Sequence, residues 1–348
     1  MDFIAVSDKL GTPSYVFDEE VFEERANAVK NAFGENIGIC FSIKANPFLL
    51  YALPKAFSAI EVCSPGELTI CEKLGVSMDK VIYSGVNKGR SDIERALANG
   101  VGEITAESLL HLELINEAAQ AYKKRPKVLV RVTAGSQFGI DEDALFNVVT
   151  NKSRYNCIDI VGIHYFSGTG KKKSSAIIKE LDYLTCLTDR LLADYAFDVK
   201  RIEYGTGLAV DYFVADADKT ELDRLEEISK AISNLGKKVA LTVEMGRFFA
   251  APCGFYLTKV ADTKTNCGIN YAILDGGLNQ LKYDGQIQGM QIPQIIHFGE
   301  GLDNTQEWTL CGSLCTTADV LARKVPLNDL KIGDLLVFCR TGAYSVTE

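Results

Sequence analysis

Between residues 37 and 245, eight short β-rich runs alternate with longer stretches of helical texture, and this rhythm limits the possible folds more than any other feature. The runs are IGICFSI (37–43), AIEVC (59–63), KVIYSG (80–85), EITA (103–106), KVLVRV (127–132), IVGIHYF (160–166), RIEYG (201–205) and VALTVEM (239–245). PGELTICEKLG, SDIERALANG, AESLLHLELINEAAQAYKKR and SAIIKELDYLTCLTDRLLADYAF lie between them. Several of the helical stretches end in glycine, a common helix stop. Strands separated by helices make βα units and a parallel sheet. Eight units suit a closed α/β barrel of the TIM type. A doubly wound open sheet is the competing architecture, but no GxGxxG follows the first strand. After residue 252 the texture changes to FYLTKVADTKT, NYAILDGG, QIIHFGE, EWTLCGSL and DLLVFCR, with short loops and almost no helical period. This predicts a smaller antiparallel β domain. The expected division is a βα barrel over 15–252, with 1–14 and 253–348 forming the β domain.

Composition excludes several classes. The 348 residues carry a net charge of −9, which argues against a general nucleic-acid binder, since that needs a basic face. No apolar run reaches the ~18–20 residues a membrane span requires. The opening MDFIAVSDKLGTPSYVF lacks a basic segment followed by an apolar one, so no signal peptide is expected. The ten cysteines (40, 63, 71, 157, 186, 253, 267, 311, 315 and 339) are scattered, several inside apolar runs. Free thiols in a reducing cytoplasm fit this pattern better than a disulfide framework. With no CxxC pair and histidines spread at 111, 164 and 297, no metal site is expected.

Barrels of this kind build their active sites at the C-terminal ends of the strands. Lys44 follows the first run in FSIKANP, and Ser64 and Glu67 follow the second. Arg131 lies at the end of the fifth, and His164 and Ser167 end the sixth in HYFSGTG. Gly205, Thr206 and Gly207 follow the seventh; Glu244, Gly246 and Arg247 end the eighth in VEMGRFFA. An isolated lysine at a strand end is usually solvated. Here an apolar run precedes Lys44 and Ala-Asn-Pro turns the chain after it. A partly dry rim lowers an ammonium pKa and frees the neutral amine that an imine-forming lysine requires. The turns SGTG (167–170) and YGTG (204–207) let backbone N–H groups approach an anion, though most glycine turns are only turns. Glu244 and Arg247 have the plainer reading of a local salt bridge.

These segments resemble the fold-type III decarboxylases that depend on pyridoxal 5′-phosphate (PLP): the diaminopimelate, ornithine and arginine decarboxylases. FSIKANP is similar to that family's lysine motif and HYFSGTG to its histidine–serine motif. YGTGL stands where the family has a triple-glycine phosphate turn, and EMGR matches its Glu-x-Gly-Arg motif. LCGSLCTTAD (310–319) resembles the segment with the catalytic cysteine, and GAY (342–344) the one with a phosphate-binding tyrosine. The resemblance implies PLP on Lys44, the His164 ring stacked on it, and Glu244 at its pyridine nitrogen, which strengthens the electron sink. It implies phosphate contacts from Ser167, Gly207, Arg247 and Tyr344, with Gly246 also in the cofactor site. Glu61, Glu67 and Arg131 match positions near the lysine, with Arg131 on the substrate side. It implies that Cys315, reaching in from the other subunit of a homodimer, protonates the carbanion.

The sequence departs from the family at several points. The residue after the catalytic cysteine is normally acidic and grips the distal amine of a basic substrate; here it is Thr316. CTTAD is instead similar to a branch that decarboxylates glutamate carried on an acyl-carrier protein. The expected substrate is therefore a carrier-linked or side-chain-uncharged amino acid, with a basic amino acid such as diaminopimelate as the alternative. Lys171, Lys172 and Lys173 are read either as a steering patch for an acidic carrier or as a solvated loop. A racemase or a non-catalytic PLP-binding relative are further alternatives. Glu244 disfavours the racemase, and Lys44 with Cys315 the inactive relative. The chain ends four residues after Tyr344, where the family usually continues, and a truncation is one expectation.

Overall fold

The computed structural model describes residues 1–299 and 304–348. After a short helix (Phe3–Leu10), β1 (Ser14–Phe17) precedes eight strands. These are β2 (Gly38–Ser42), β3 (Ala59–Val62), β4 (Val81–Tyr83), β5 (Glu103–Ala106), β6 (Lys127–Val132), β7 (Asp159–Phe166), β8 (Arg201–Gly205) and β9 (Ala240–Met245). They form a closed barrel in chain order. β9 returns to β2 in parallel register, Gly38 facing Thr242 and Phe41 facing Met245. Each of the eight expected runs is a strand, displaced by no more than a residue or two at its ends. The reason is burial on both faces: in β3, β4 and β5 every residue is buried, as expected when helices cover a parallel sheet.

Local chemistry sets where the helices begin. Ser64, Ser108 and Asp141 cap three of them, accepting from the N–H groups of Glu67, His111 and Ala144. The cap at Ser64 is reciprocal. Glu67 takes the Cys63 N–H at 2.9 Å and the Ser64 hydroxyl at 3.0 Å, so this acidic residue near the lysine fixes the turn after β3.

The remaining strands are β10 (Gly254–Asn266), β11 (Ile269–Leu274), β12 (Ile295–Phe298), β13 (Thr305–Cys311), β14 (Val320–Asn328) and β15 (Leu335–Cys339). With β1 they form a seven-stranded sheet, ordered β12-β15-β10-β11-β13-β14, with β1 on β10. The expectation of a wholly antiparallel sheet needs correction, because β11 and β13 pair in parallel. The segment between them includes β12, long enough to make the crossover that a parallel pair requires. The expected strand QIIHFGE appears as β12, and its last residue, Glu300, lies outside the described residues. The sequence reading passed over β14. That strand lies at the sheet edge and carries Pro326 opposite Glu307, and proline is tolerated at an edge where no ladder donor is needed.

The described residues divide into two compact units. One comprises Met1–Phe22, Val210–Glu221 and Arg247–Glu348; the other comprises Glu23–Ala209 and Leu222–Gly246. All ten cysteines are free, and no described helix is long and apolar enough to cross a membrane.

Barrel closure makes one glycine indispensable. A Cβ at Gly162 in β7 would lie 1.7 Å from the Arg201 carbonyl oxygen of β8, and neither backbone can move without breaking the ladder. Gly162→Ala is expected to cost about 3 kcal/mol or more, read as a lower urea midpoint; a wild-type midpoint would contradict this account of the β7–β8 contact.

Candidate active site

The residue that closes β2 begins the site. Ser42 ends the strand, and Ile43–Ala45 form a single 3₁₀ turn that lifts Lys44 off the barrel wall. Asn46 then accepts the Phe48 N–H at 3.0 Å and Pro47 starts the next turn. The Lys44 side chain remains 35% exposed, while its amine faces inward. Nζ lies 2.7 Å from Glu61 Oε2, 3.5 Å from Glu244 Oε1 and 3.4 Å from Cys63 Sγ. Strand alternation explains this gathering: Glu61 and Cys63, two residues apart, share one face of the chain.

Glu244 is buried and almost fully satisfied. The Ser42 hydroxyl donates to Oε1 at 2.7 Å, and His164 Nε2 lies 3.1 Å from Oε2. Burial pushes its pKa up, but the Lys44 ammonium and the His164 hydrogen bond outweigh it and hold Glu244 well below the usual carboxylate range. It is therefore ionised. The Cys63 thiol donates to Glu61 Oε1 at 3.2 Å. Burial, then the Glu61 charge, pushes this thiol well above its ordinary value, so it stays protonated. Among the described residues His164 Nδ1 is buried with no protein partner.

A third carboxyl belongs to the same interior. Glu203 in β8 is fully buried, and among the described residues neither of its oxygens has a hydrogen-bond partner. Burial, followed by the charges of Glu244 and Glu61, raises its pKa well above normal, which makes it a neutral acid. The sequence reading missed Glu203 and Cys63. A signal was present: Glu203 is the carboxyl inside the run RIEYG, and Cys63 follows Glu61 by two residues in AIEVC.

At the ends of β7 and β8 the two glycine turns meet. A Cβ at Gly207 would lie 1.9 Å from the Gly168 carbonyl oxygen, and Gly207 has φ +61°, so only glycine fits. Ser167 is exposed, and its hydroxyl donates to Glu180. Gly246 is packed closely too, a Cβ there falling 3.0 Å from the Ser42 carbonyl oxygen. Lys171 does not join Lys172 and Lys173 at the surface. Its Nζ pairs with Glu180 at 2.8 Å, which removes it from the steering patch. Arg131 is buried, donates to Glu107 at 2.7 Å and stacks on the Phe138 ring at 4.6 Å, and its Nε has no hydrogen-bond partner among the described residues.

The other unit holds the remaining expected residues. Arg247 donates to the Tyr212 hydroxyl at 2.9 Å and its guanidinium lies 4.4 Å from the Tyr344 ring centroid, so this unit brings Arg247 and Tyr344 together. Cys315 and Thr316 are exposed on a loop that the buried Asp319 carboxylate anchors through the N–H groups of Leu278 and Leu314, at 2.7 and 2.8 Å.

Residues 19–251 match the model of the "Pyridoxal-dependent decarboxylase, pyridoxal binding domain" family. The "L-glutamyl-[BtrI acyl-carrier protein] decarboxylase" of Niallia circulans is 27% identical over 99% of this chain and 87% of its own length. The diaminopimelate decarboxylase of Aquifex aeolicus is 25% identical over 97% and 83%. Among solved structures, diaminopimelate decarboxylase from M. jannaschii superposes with a TM-score of 0.87 at 23% identity, over 99% of this chain and 86% of that one. The barrel residues fit a PLP cofactor: an amine on a side chain that is 35% exposed suits a carbonyl, an ionised buried carboxylate suits a ring nitrogen, and a turn in which only glycine fits suits a phosphate. The chain thus belongs to the pyridoxal-dependent decarboxylases, carbon–carbon lyases whose cofactor is pyridoxal 5′-phosphate.

Proposed function

We propose that this protein removes the α-carboxylate of an amino acid whose distal end is uncharged or tethered to a carrier protein, with Lys44 as the covalent anchor of the cofactor. The observation that carries the reading is the Lys44 amine held at 2.7 Å by Glu61 beside the ionised Glu244. PLP supplies an electron sink for the pair left when CO2 departs. Glu61 holds the Lys44 proton at Nζ and so governs when the amine is free to react. Glu244, with its charge intact, keeps a proton at the ring nitrogen; a strong sink of this kind suits loss of CO2 better than racemisation. His164 lies against the ring, oriented by its bond to Glu244. In the barrel unit Ser167 and Gly207 would contact the phosphate and Gly246 the cofactor; in the other unit Arg247 and Tyr344 are the candidates for phosphate. Cys315 delivers its Sγ proton to the carbon that lost the carboxylate. It does so from the partner subunit of a homodimer, a role its exposure in the single chain supports.

Substrate choice rests on Thr316 and Arg131. A threonine hydroxyl cannot neutralise a distal ammonium, which counts against free basic amino acids, and the name of the N. circulans relative points the same way. Arg131, already neutralised by Glu107 but with no hydrogen-bond partner at Nε among the described residues, serves as a hydrogen-bond donor to the substrate. Lys172 and Lys173, both exposed, face an acidic carrier. The second reading, a basic amino acid, is favoured by the relatives named diaminopimelate decarboxylase.

Lys44→Ala is expected to abolish both the borohydride-sensitive visible absorbance of the holoenzyme and CO2 release. Cys315→Ala keeps the absorbance and slows correctly protonated product formation about a hundredfold or more; an unaltered rate would remove Cys315 from the chemistry. In a mass-spectrometric panel of free and carrier-bound amino acids, a carrier-bound or capped substrate is expected to have the highest kcat/KM. Thr316→Asp should shift preference toward free basic amino acids, and diaminopimelate as the best wild-type substrate would sink the carrier reading.

A further inference from the structure

One residue joins the two glycine turns of the barrel unit. Lys171 and Leu208 form an isolated parallel bridge. The Lys171 N–H donates to the Gly207 carbonyl at 2.9 Å, and the Ala209 N–H donates to the Lys171 carbonyl at 3.1 Å. The side chain then folds back over the same turn. Its Nζ donates to the Thr206 carbonyl at 3.0 Å and to Glu180 Oε2 at 2.8 Å, with 13% of the side chain exposed. The ammonium is 3.3 Å from the point where a Cβ at Gly207 would stand. A positive charge is therefore fixed against the turn that resembles the family's phosphate turn, at the place where this chain carries Thr206 between its glycines.

Glu180 makes that charge necessary. Its carboxylate also accepts from the hydroxyls of Ser167 and Tyr204, the latter at 2.7 Å. Without compensation, this anion beside a phosphate dianion would oppose binding. Burial pushes the Lys171 pKa down while Glu180 pulls it back, and a second anion at the turn would hold the charged form more firmly.

We propose that Lys171 is a phosphate-binding residue of the cofactor site, positioned by Glu180 and the Thr206 carbonyl and supplying a full positive charge where the glycine turns supply only backbone dipoles. The inference rests on the two turns being the phosphate cradle and is independent of the substrate assigned above.

The test compares PLP with pyridoxal, which lacks the phosphate, by equilibrium titration of the apoenzyme. Lys171→Met is expected to weaken PLP about tenfold or more, as for loss of one charge-assisted hydrogen bond. Pyridoxal affinity should change less than about twofold, and Lys171→Arg should restore PLP affinity. Equal weakening of PLP and pyridoxal would make Lys171 only a tie between turns, and unchanged PLP affinity would place the phosphate elsewhere; either result overturns the proposal. If Lys171→Met does not fold, Lys171→Gln, which keeps a donor for Glu180 and the Thr206 carbonyl but carries no charge, decides the matter. PLP should then bind more weakly with pyridoxal unaffected, whereas unchanged PLP affinity rejects the idea. A wild-type apoenzyme that binds no PLP would instead defeat the cofactor site itself.

Discussion

Three carboxyl groups and one ammonium share the interior of the barrel mouth, and the rest of the site depends on how their charges balance. Taking two carboxylates out of water costs several kcal/mol for each. Lys44 stands between Glu61 and Glu244 and offsets both. The Ser42 hydroxyl, the Cys63 thiol and the His164 ring complete the set of partners. Burial first, and then the Glu244 and Glu61 charges, keep the proton on Glu203, which has no hydrogen-bond partner among the described residues. The ionised state of Glu244 is thus a property of the cluster. It depends on the Lys44 ammonium, so any change in the charge of that amine is felt at Glu244.

Much of this was legible in the sequence because the barrel is simple to encode. Strands buried on both faces read as apolar runs, and the rim residues follow those runs directly. Lys44, His164 and Glu244 were singled out in this way, and the structure places Lys44 and His164 each within hydrogen-bonding or ion-pair distance of Glu244. What escaped was whatever depends on direction rather than order. Glu203 lies inside β8 and Cys63 just past the end of β3, where alternation decides which way a side chain faces. Lys171 reads as one of three equivalent lysines, and only the bridge to Leu208 turns it inward. The parallel pairing of β11 with β13 depends on a crossover whose path no local pattern reveals.

The edge strand β14 shows the converse. Pro326 and the charged pair Arg323 and Lys324 disguise it as a loop, yet those same residues suit a strand with one unpaired side. Features that weaken a strand signal in sequence here serve to keep an exposed ladder from recruiting another chain.

β10 has a consequence for how the protein is made. Its first residues lie between β1 and β15, with Ser14 facing Leu257 and Phe255 facing Cys339, and beyond the bulge at Val260–Asp262 it turns to β11. A segment synthesised early must therefore wait for a partner that leaves the ribosome more than two hundred residues later, and that partner in turn waits for β15. The barrel waits as well, since β2 must hold until β9 arrives, Gly38 facing Thr242, but its last strand is made before β10 begins. Vectorial synthesis thus offers the cofactor-binding framework first and leaves this sheet, drawn from both ends of the polypeptide, to be finished last.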